Sequence, residues 1–158
     1  MTAISCDQHK YGLAPKGVSV IMFKTKLMRQ CCYTLVSDWP GGMYATTSAC
    51  GSKAGAPVSG AWYSMMFHGR DGFVTKALII TNALNEIVKA FRESPELSEL
   101  EVIGDPKTVV VAFKYKKQFP KNIYYMQGAM SKKGWHISGI QSPPALHISV
   151  THGIAAKV

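Results

Sequence analysis

The sequence predicts an α/β protein, because short apolar strands precede one long amphipathic helix and further strands and a helix follow it. Residues 4–6 and 18–23 are rich in β-branched and apolar side chains, as strands are. Apolar residues then recur at steps of three and four from Phe73 to Phe91, which predicts a helix with one apolar face. We expect three parts, with boundaries at 1–58, 59–94 and 95–158.

Composition excludes a disordered chain. The 158 residues are 47% hydrophobic and only 17% charged, whereas disordered chains are poorer in apolar residues and richer in charge. The net charge of +9 reflects few acids more than many bases, so it does not by itself indicate a nucleic-acid partner. The N-terminus has no signal-peptide pattern and no apolar run reaches the ~20 residues of a membrane helix. We expect this chain alone to be soluble and cytosolic, with its four cysteines reduced and packed as thiols.

The remaining elements follow from local signals. A helix over 59–68 is interrupted by Asp71 and Gly72, and the long helix stops at Ser94 because Pro95 follows. Lys132, Lys133 and Gly134 are typical of a helix end. The pattern beyond the long helix predicts these elements in order: strand 100–104, strand 108–113, helix 122–132, strand 135–138 and strand 146–150.

The N-terminal part looks incomplete by itself. Two short strands cannot enclose a core, so we interpret them as the last strands of a larger sheet. No ordered element is expected after the strand at 146–150, so that the C-terminal part is interpreted as truncated. The Gly- and Pro-containing stretch 37–58 is expected to be one long irregular segment, which in a compact domain is usually functional.

One lysine stands out as a candidate for chemistry. Asp7, His9 and Lys10 follow the first strand, and a lysine at the mouth of a sheet can be desolvated, which lowers its pKa and makes the amine nucleophilic. Such a lysine suits a Schiff base with a carbonyl cofactor, of which pyridoxal phosphate (PLP) is the common case. Spacing alone leaves a solvated loop lysine equally open.

Four blocks of sequence decide between these interpretations. They span 5–17 (SCDQHKYGLAPKG), 38–44 (DWPGGMY), 51–55 (GSKAG) and 133–147 (KGW followed by QSPPALH). In this order and spacing they resemble the PLP-dependent group II decarboxylase family over essentially the whole chain. The residues at 39–42 and 143–147 are most similar to the branch of lyases that act on phosphorylated sphingoid bases.

The resemblance implies a fold and a site. The chain would be the C-terminal part of a PLP-dependent transferase-type (fold type I) subunit: the last strands of the large-domain sheet, a linking helix and a small α+β domain. Lys10 matches the lysine that binds PLP covalently, and His9 matches a histidine beside the cofactor. Gly51 and Ser52 match a loop that reaches the cofactor phosphate of the neighbouring subunit in a homodimer. Lys16 matches a second lysine near the site.

The sequence departs from the family at two positions. Lys53 and Ala54 stand where members usually have arginine and proline. Lysine keeps the charge but lacks the bidentate fork that arginine offers to phosphate, and alanine lacks the stiffness of proline. The geometry of the phosphate contact, rather than the fold, is what this departure affects.

The implied activity is a carbon–carbon cleavage of a phosphorylated sphingoid base into a long-chain aldehyde and phosphoethanolamine. An amino-acid decarboxylase of the same family is the alternative, because both reactions use Lys10. Family members carry further cofactor contacts upstream of the lysine strand, so we expect this chain to be inactive alone. The full-length family lyase has an N-terminal anchor in the endoplasmic reticulum membrane and faces the cytosol.

Other candidates have plainer interpretations. Lysines at 114, 116, 117 and 121, near Tyr115 and Phe119, are interpreted as a solvated strand end. A small module that binds nucleic acid or anionic lipid through them, or a fragment without any function, are the alternatives. We expect neither a nucleic-acid partner nor a metal, since His147 and His152 lack the spacing of zinc ligands. His68, on an apolar helix segment, is interpreted as structural.

Overall fold

The chain divides into two units in this computed structural model, which describes residues 1–117 and 122–155. The first unit is Met1–Arg70 and the second is Asp71–Val158. The three-part division of the sequence, with boundaries after residues 58 and 94, stays a prediction.

The first unit contains two small antiparallel hairpins. β1 pairs with β2 along its whole length, from Ala3 opposite Phe23 to Asp7 opposite Ser19. The elements of this unit are β1 (Ala3–Asp7), β2 (Ser19–Phe23), α1 (Lys26–Gln30), β3 (Thr34–Val36), β4 (Tyr44–Thr46) and the start of α2 (Gly55–Glu93).

The two predicted strands of this unit are confirmed, but the rest differs from the prediction. The stretch 37–58 is not one irregular segment, because it contains β4 and the first turn of α2. Helix α1 was not predicted, although Thr25 is a typical N-cap and its hydroxyl accepts a hydrogen bond from the Met28 N–H at 3.3 Å. Elements of three to five residues are too short to leave a clear periodicity.

Helix α2 is interrupted at Gly69, where φ is 57° and ψ is −176°. The predicted interruption at Asp71 and Gly72 is therefore wrong by two to three residues. This conformation is essentially restricted to glycine, so the backbone break falls where a Cβ is absent. The helix ends at Glu93, and Ser94 is extended before Pro95, as predicted.

The second unit is built on a four-stranded antiparallel sheet with strand order β5-β6-β8-β7. A 3₁₀ turn at Pro95–Leu97 leads into it. Its elements are β5 (Leu100–Val102), β6 (Val110–Tyr115), α3 (Tyr124–Lys132), β7 (Ser138–Ile140), β8 (Ala145–Ser149) and α4 (His152–Ala155).

Two predictions for this unit are wrong in position. The strand expected at 135–138 begins only at Ser138, because the Trp135 N–H bonds back to the Met130 carbonyl at 3.0 Å and stays with the end of α3. Helix α4 follows the last strand, where no ordered element was expected. The predicted helix end is confirmed, since Gly134 has a φ of 83°.

The apolar core lies in the second unit. One cluster is centred on Leu84, Val111 and Val150, which are fully buried, and another on Phe113 and Leu146. In the first unit, the only described residues that are buried are Ala61 and Ser64, and large apolar side chains of β2 are exposed. As expected from the sequence, the described elements of the first unit enclose no core.

Within the described ranges, no helix combines the length and the apolarity that crossing a bilayer requires.

Candidate cofactor-lysine site

The lysine loop, residues 8–18, joins β1 to β2 and is held by its own backbone. The Lys10 N–H bonds to the Asp7 carbonyl at 3.1 Å, and the Ala14 N–H bonds to the Gln8 carbonyl at 3.0 Å. Leu13 has a φ of 55°, which is uncommon for a residue with a side chain. These contacts fold residues 8–14 back on themselves and place Lys10 directly beyond the end of β1.

Asp7 is the electrostatic centre of this loop. Its carboxylate lies 2.7 Å from the Lys10 Nζ and accepts a hydrogen bond from the Ser19 hydroxyl of the paired strand. The hydrogen bond with Lys10 is the main reason that the pKa of Asp7 lies below its ordinary value, followed by that with Ser19. The same carboxylate raises the pKa of Lys10.

The predicted desolvation of Lys10 is therefore wrong for this chain. Its side chain is 63% exposed, so burial has little influence on the amine, whereas the adjacent carboxylate favours the charged form. Lys10 is a protonated, oriented and accessible amine here, rather than a neutral nucleophile.

His9 joins the same group. Its Nδ1 lies 3.4 Å from the Val18 carbonyl, which can only accept, so this nitrogen donates, and its Nε2 lies 3.9 Å from the Asp7 carboxylate. Asp7, His9 and Lys10 are thus brought together at one end of the β1–β2 hairpin. Next to them, the side-chain oxygen of Gln8 is buried without a hydrogen-bond partner in the described part of the chain.

The loop rests on the first turns of α2. The Ser64 hydroxyl donates a hydrogen bond to the Gly12 carbonyl at 2.6 Å, and Ser64 is 6% exposed. A Cβ at Gly60 would stand 2.8 Å from the Pro15 ring, so only glycine permits this approach. Sequence analysis missed this support, although small residues four apart on a helix are the signal that another segment packs closely there.

Alanine at Gly12 is expected to open the lysine loop. Its Cβ would stand 2.7 Å from the Gln8 carbonyl oxygen, which is the acceptor for the Ala14 N–H. Overpacking of this kind is usually destabilising by about 1–3 kcal/mol. Amide hydrogen exchange at Ala14 should therefore accelerate in Gly12→Ala.

The matched control is Gly128→Ala on α3, where a Cβ would meet nothing within 4 Å. This change is expected to stabilise α3 by up to about 1 kcal/mol. Unaltered Ala14 exchange in Gly12→Ala would contradict the loop geometry.

The other predicted site residues are exposed and lie apart from this group in sequence. Gly51 and Ser52, together with Lys53 and Ala54, occupy the segment between β4 and α2. No atom of the described chain beyond its own neighbours lies within 4 Å of the point where a Cβ of Gly51 would stand. Lys16, in the lysine loop, is also exposed.

Several secondary predictions can also be assessed. Cys6, Cys31 and Cys50 are exposed, so their interpretation as packed thiols is wrong. In the basic cluster Lys114 pairs with Glu101 at 3.1 Å, while Lys121 and Phe119 lie outside the described residues.

The histidines beyond the lysine loop show no metal-site geometry. The ring of His68 packs edge-on against Phe67, with centroids 5.1 Å apart. The Nδ1 of His147 is buried without a hydrogen-bond partner among the described residues. Within residues 1–117 and 122–155, no three His, Cys, Asp or Glu side chains are grouped closely enough to hold a metal ion.

Comparison with known proteins identifies the class. No family model matches the chain. Curated sphingosine-1-phosphate lyases of Dictyostelium discoideum and Arabidopsis thaliana are 40% and 38% identical to it over 151 residues, which is 96% of the chain. A solved sphingosine-1-phosphate lyase of Burkholderia pseudomallei is 34% identical, with a TM-score of 0.79 over 99% of the chain.

A more distant structure shares the fold alone. A cystine C-S lyase in complex with its product cysteine persulfide has a TM-score of 0.64 over 99% of the chain, at 12% identity. A variant related to it holds glycine covalently linked to PLP, with a TM-score of 0.56 at 13% identity.

The fold and the lysine loop therefore define a segment of a fold type I, PLP-dependent enzyme, as predicted. Within that class, the chain is similar to the sphingosine-1-phosphate lyases over nearly its whole length, which confirms the resemblance seen in the sequence. It spans 27% of the length of the Dictyostelium and Arabidopsis relatives and 35% of the Burkholderia chain.

Proposed function

We propose that this chain is the lysine-bearing segment of a PLP-dependent carbon–carbon lyase that acts on a phosphorylated sphingoid base. The observation that carries the proposal is its 34–40% identity, over 96% of its length, to curated sphingosine-1-phosphate lyases of five eukaryotic lineages. The relatives are named as lyases of that substrate, which favours the lyase over an amino-acid decarboxylase.

The residues present fit the cofactor. Lys10 offers an accessible primary amine for the aldehyde carbon of PLP, and the exposed side chain of Lys16 offers a cation within the same loop. When bound, PLP withdraws electrons from the amine-bearing carbon of the substrate. The reaction then removes the proton of the neighbouring hydroxyl, opens the bond between the two carbons, and returns a proton to the amine-bearing carbon. The products are a long-chain aldehyde and phosphoethanolamine.

Each residue of the loop has a distinct role in this proposal. Lys10 holds the cofactor covalently, and Asp7 orients the amine through the 2.7 Å contact. Because Asp7 raises the pKa of Lys10, the amine must lose a proton before it attacks a carbonyl. His9 lies beside the cofactor, with its ring fixed by the Val18 carbonyl.

The assembled protein is proposed to be a homodimer that shares its active sites. In this arrangement the open segment at Gly51 and Ser52 contacts the cofactor phosphate of the neighbouring subunit, where backbone N–H groups can bind an anion. Lys53 adds a point charge without a bidentate fork. The full-length protein would be anchored in the endoplasmic reticulum membrane, with this segment in the cytosol.

Borohydride reduction of the chain mixed with PLP tests the lysine assignment. A stable pyridoxyl adduct is expected at Lys10, identified by peptide mass spectrometry. Below the ordinary lysine pKa of 10.5, the carboxylate of Asp7 keeps more of this amine protonated. Asp7→Asn is therefore expected to lower the Lys10 pKa and increase the adduct yield several-fold relative to Lys24 in the same chain.

Asp38→Asn, which removes the other carboxylate of the first unit, is the matched control and should leave the ratio of Lys10 to Lys24 adduct unchanged. Adducts at Lys24 and other exposed lysines, with Lys10 unmodified in both Asp7 forms, would refute the assignment.

A further inference from the structure

A second concave site lies in the first unit, on the far side of β2 in sequence from the lysine loop. It is an open cavity of about 540 Å³, which is within the range of ~300–1,000 Å³ typical of small-molecule sites. We call it the α1 cavity. Its lining residues are Ile21, Phe23, Thr25, Lys26, Arg29, Cys32, Thr47, Ser48 and Ala49.

The walls of the α1 cavity differ in chemistry. Ile21 and Phe23 of β2 provide an apolar floor, and Ile21 is 59% exposed. Lys26 and Arg29 are three residues apart on α1, so both cations lie on one side of this short helix. One end of the cavity is therefore cationic and the floor is apolar.

The opposite wall is a fixed loop. The Ser48 hydroxyl donates a hydrogen bond to the Cys32 carbonyl, and the Ser48 N–H bonds to the Thr46 hydroxyl at 3.1 Å. Ser48 has a φ of 62°, an uncommon conformation for a residue with a side chain. These bonds hold Thr47, Ser48 and Ala49 against the end of α1.

The two cations of the α1 cavity have no acidic partner. Among the described residues, no carboxylate forms an ion pair with Lys26 or Arg29. The first unit has seven lysines and arginines against two acids, and one of these, Asp7, is engaged by Lys10. The positive charge at this cavity is thus left for an anion from outside the described chain.

We propose that the α1 cavity binds a phosphate monoester that carries an apolar chain. Arg29 offers a planar fork and Lys26 a point charge to the phosphate, and Ile21 and Phe23 contact the chain. A smaller concavity of about 300 Å³, on the β3–β4 hairpin, has no charged lining residue and lacks this combination. The α1 cavity shares no residue with the lysine loop, so the proposal stands independently of the Lys10 assignment.

Titration of the 158-residue chain with octyl phosphate, below its micelle concentration, tests this proposal by calorimetry. Saturable binding at one site is expected, at least tenfold weaker in the double variant Lys26→Gln, Arg29→Gln. Lys24→Gln, which removes a neighbouring exposed cation outside the cavity, should bind as the original chain does. Octanol and inorganic phosphate should each bind at least tenfold more weakly than octyl phosphate, since each lacks one half of the ligand.

A second variant separates loss of the site from loss of the fold. Ala49→Trp fills the cavity without removing a charge, and it should weaken binding of octyl phosphate while the far-ultraviolet circular dichroism stays unchanged. Octyl phosphate binding that is equal in all variants, or that is matched by inorganic phosphate alone, would overturn the proposal.

Discussion

Lys10→Ala is expected to abolish carbon–carbon cleavage in a chimaeric enzyme in which this chain replaces the matching 35% of the Burkholderia pseudomallei lyase. Activity should fall on the order of 10³-fold or more, because loss of a covalent catalytic group is not compensated by the remaining site. The measurement is release of aldehyde from sphingosine-1-phosphate, with PLP content followed by absorbance.

Two controls make this result specific. Lys24→Ala removes a nearby exposed amine and should leave turnover unchanged. Lys10→Arg keeps the positive charge beside Asp7 but cannot form the Schiff base, so it should be as inactive as Lys10→Ala. If the chimaera with Lys10→Arg still cleaved substrate at the original rate, Lys10 would not be the cofactor lysine.

Phe113→Ala is expected to destabilise the second unit by about 3–5 kcal/mol. Phe113 is 2% exposed on β6, and its ring centroid lies 4.6 Å from that of Phe91 on α2. Removing the ring leaves a cavity between the sheet and the helix of the same unit. Urea unfolding followed by the fluorescence of Trp135, the tryptophan of this unit, would measure the loss.

The contrasting variant is Ile21→Ala on β2, a residue that is 59% exposed. Because this side chain is already accessible to water, its truncation should change the free energy of unfolding by no more than about 0.5 kcal/mol. Equal losses for Phe113→Ala and Ile21→Ala would contradict the placement of the core in the second unit.

The sequence predicted the parts of the fold that depend on short-range patterns. The apolar steps from Phe73 to Phe91, the Ser94–Pro95 stop and the left-handed Gly134 are local signals, and each was found where expected. The start of β7 was misplaced because the Trp135 N–H is taken by the Met130 carbonyl, a contact that strand propensity does not contain. Helix α1 was missed because five residues give no periodicity.

The lysine site shows the same limit more sharply. Motif order identified Lys10, but not its charge state, because that depends on Asp7. The register of β1 and β2 brings Ser19 to the Asp7 carboxylate, and the turn of the loop brings Lys10 to the same group. A lysine at a strand end is desolvated only if other chain covers it, and sequence spacing does not specify what covers it.

The backbone break at Gly69 has a practical consequence for dissecting the protein. Every residue of both core clusters lies at Ile79 or beyond, so a shorter polypeptide that starts at Asp71 retains all the side chains that pack there. Such a polypeptide also loses most of the exposed tryptophan, tyrosine and methionine side chains, which favour aggregation during purification. The second unit is thus the better starting material for crystallisation and NMR, and the lysine loop can be studied by adding the first unit back.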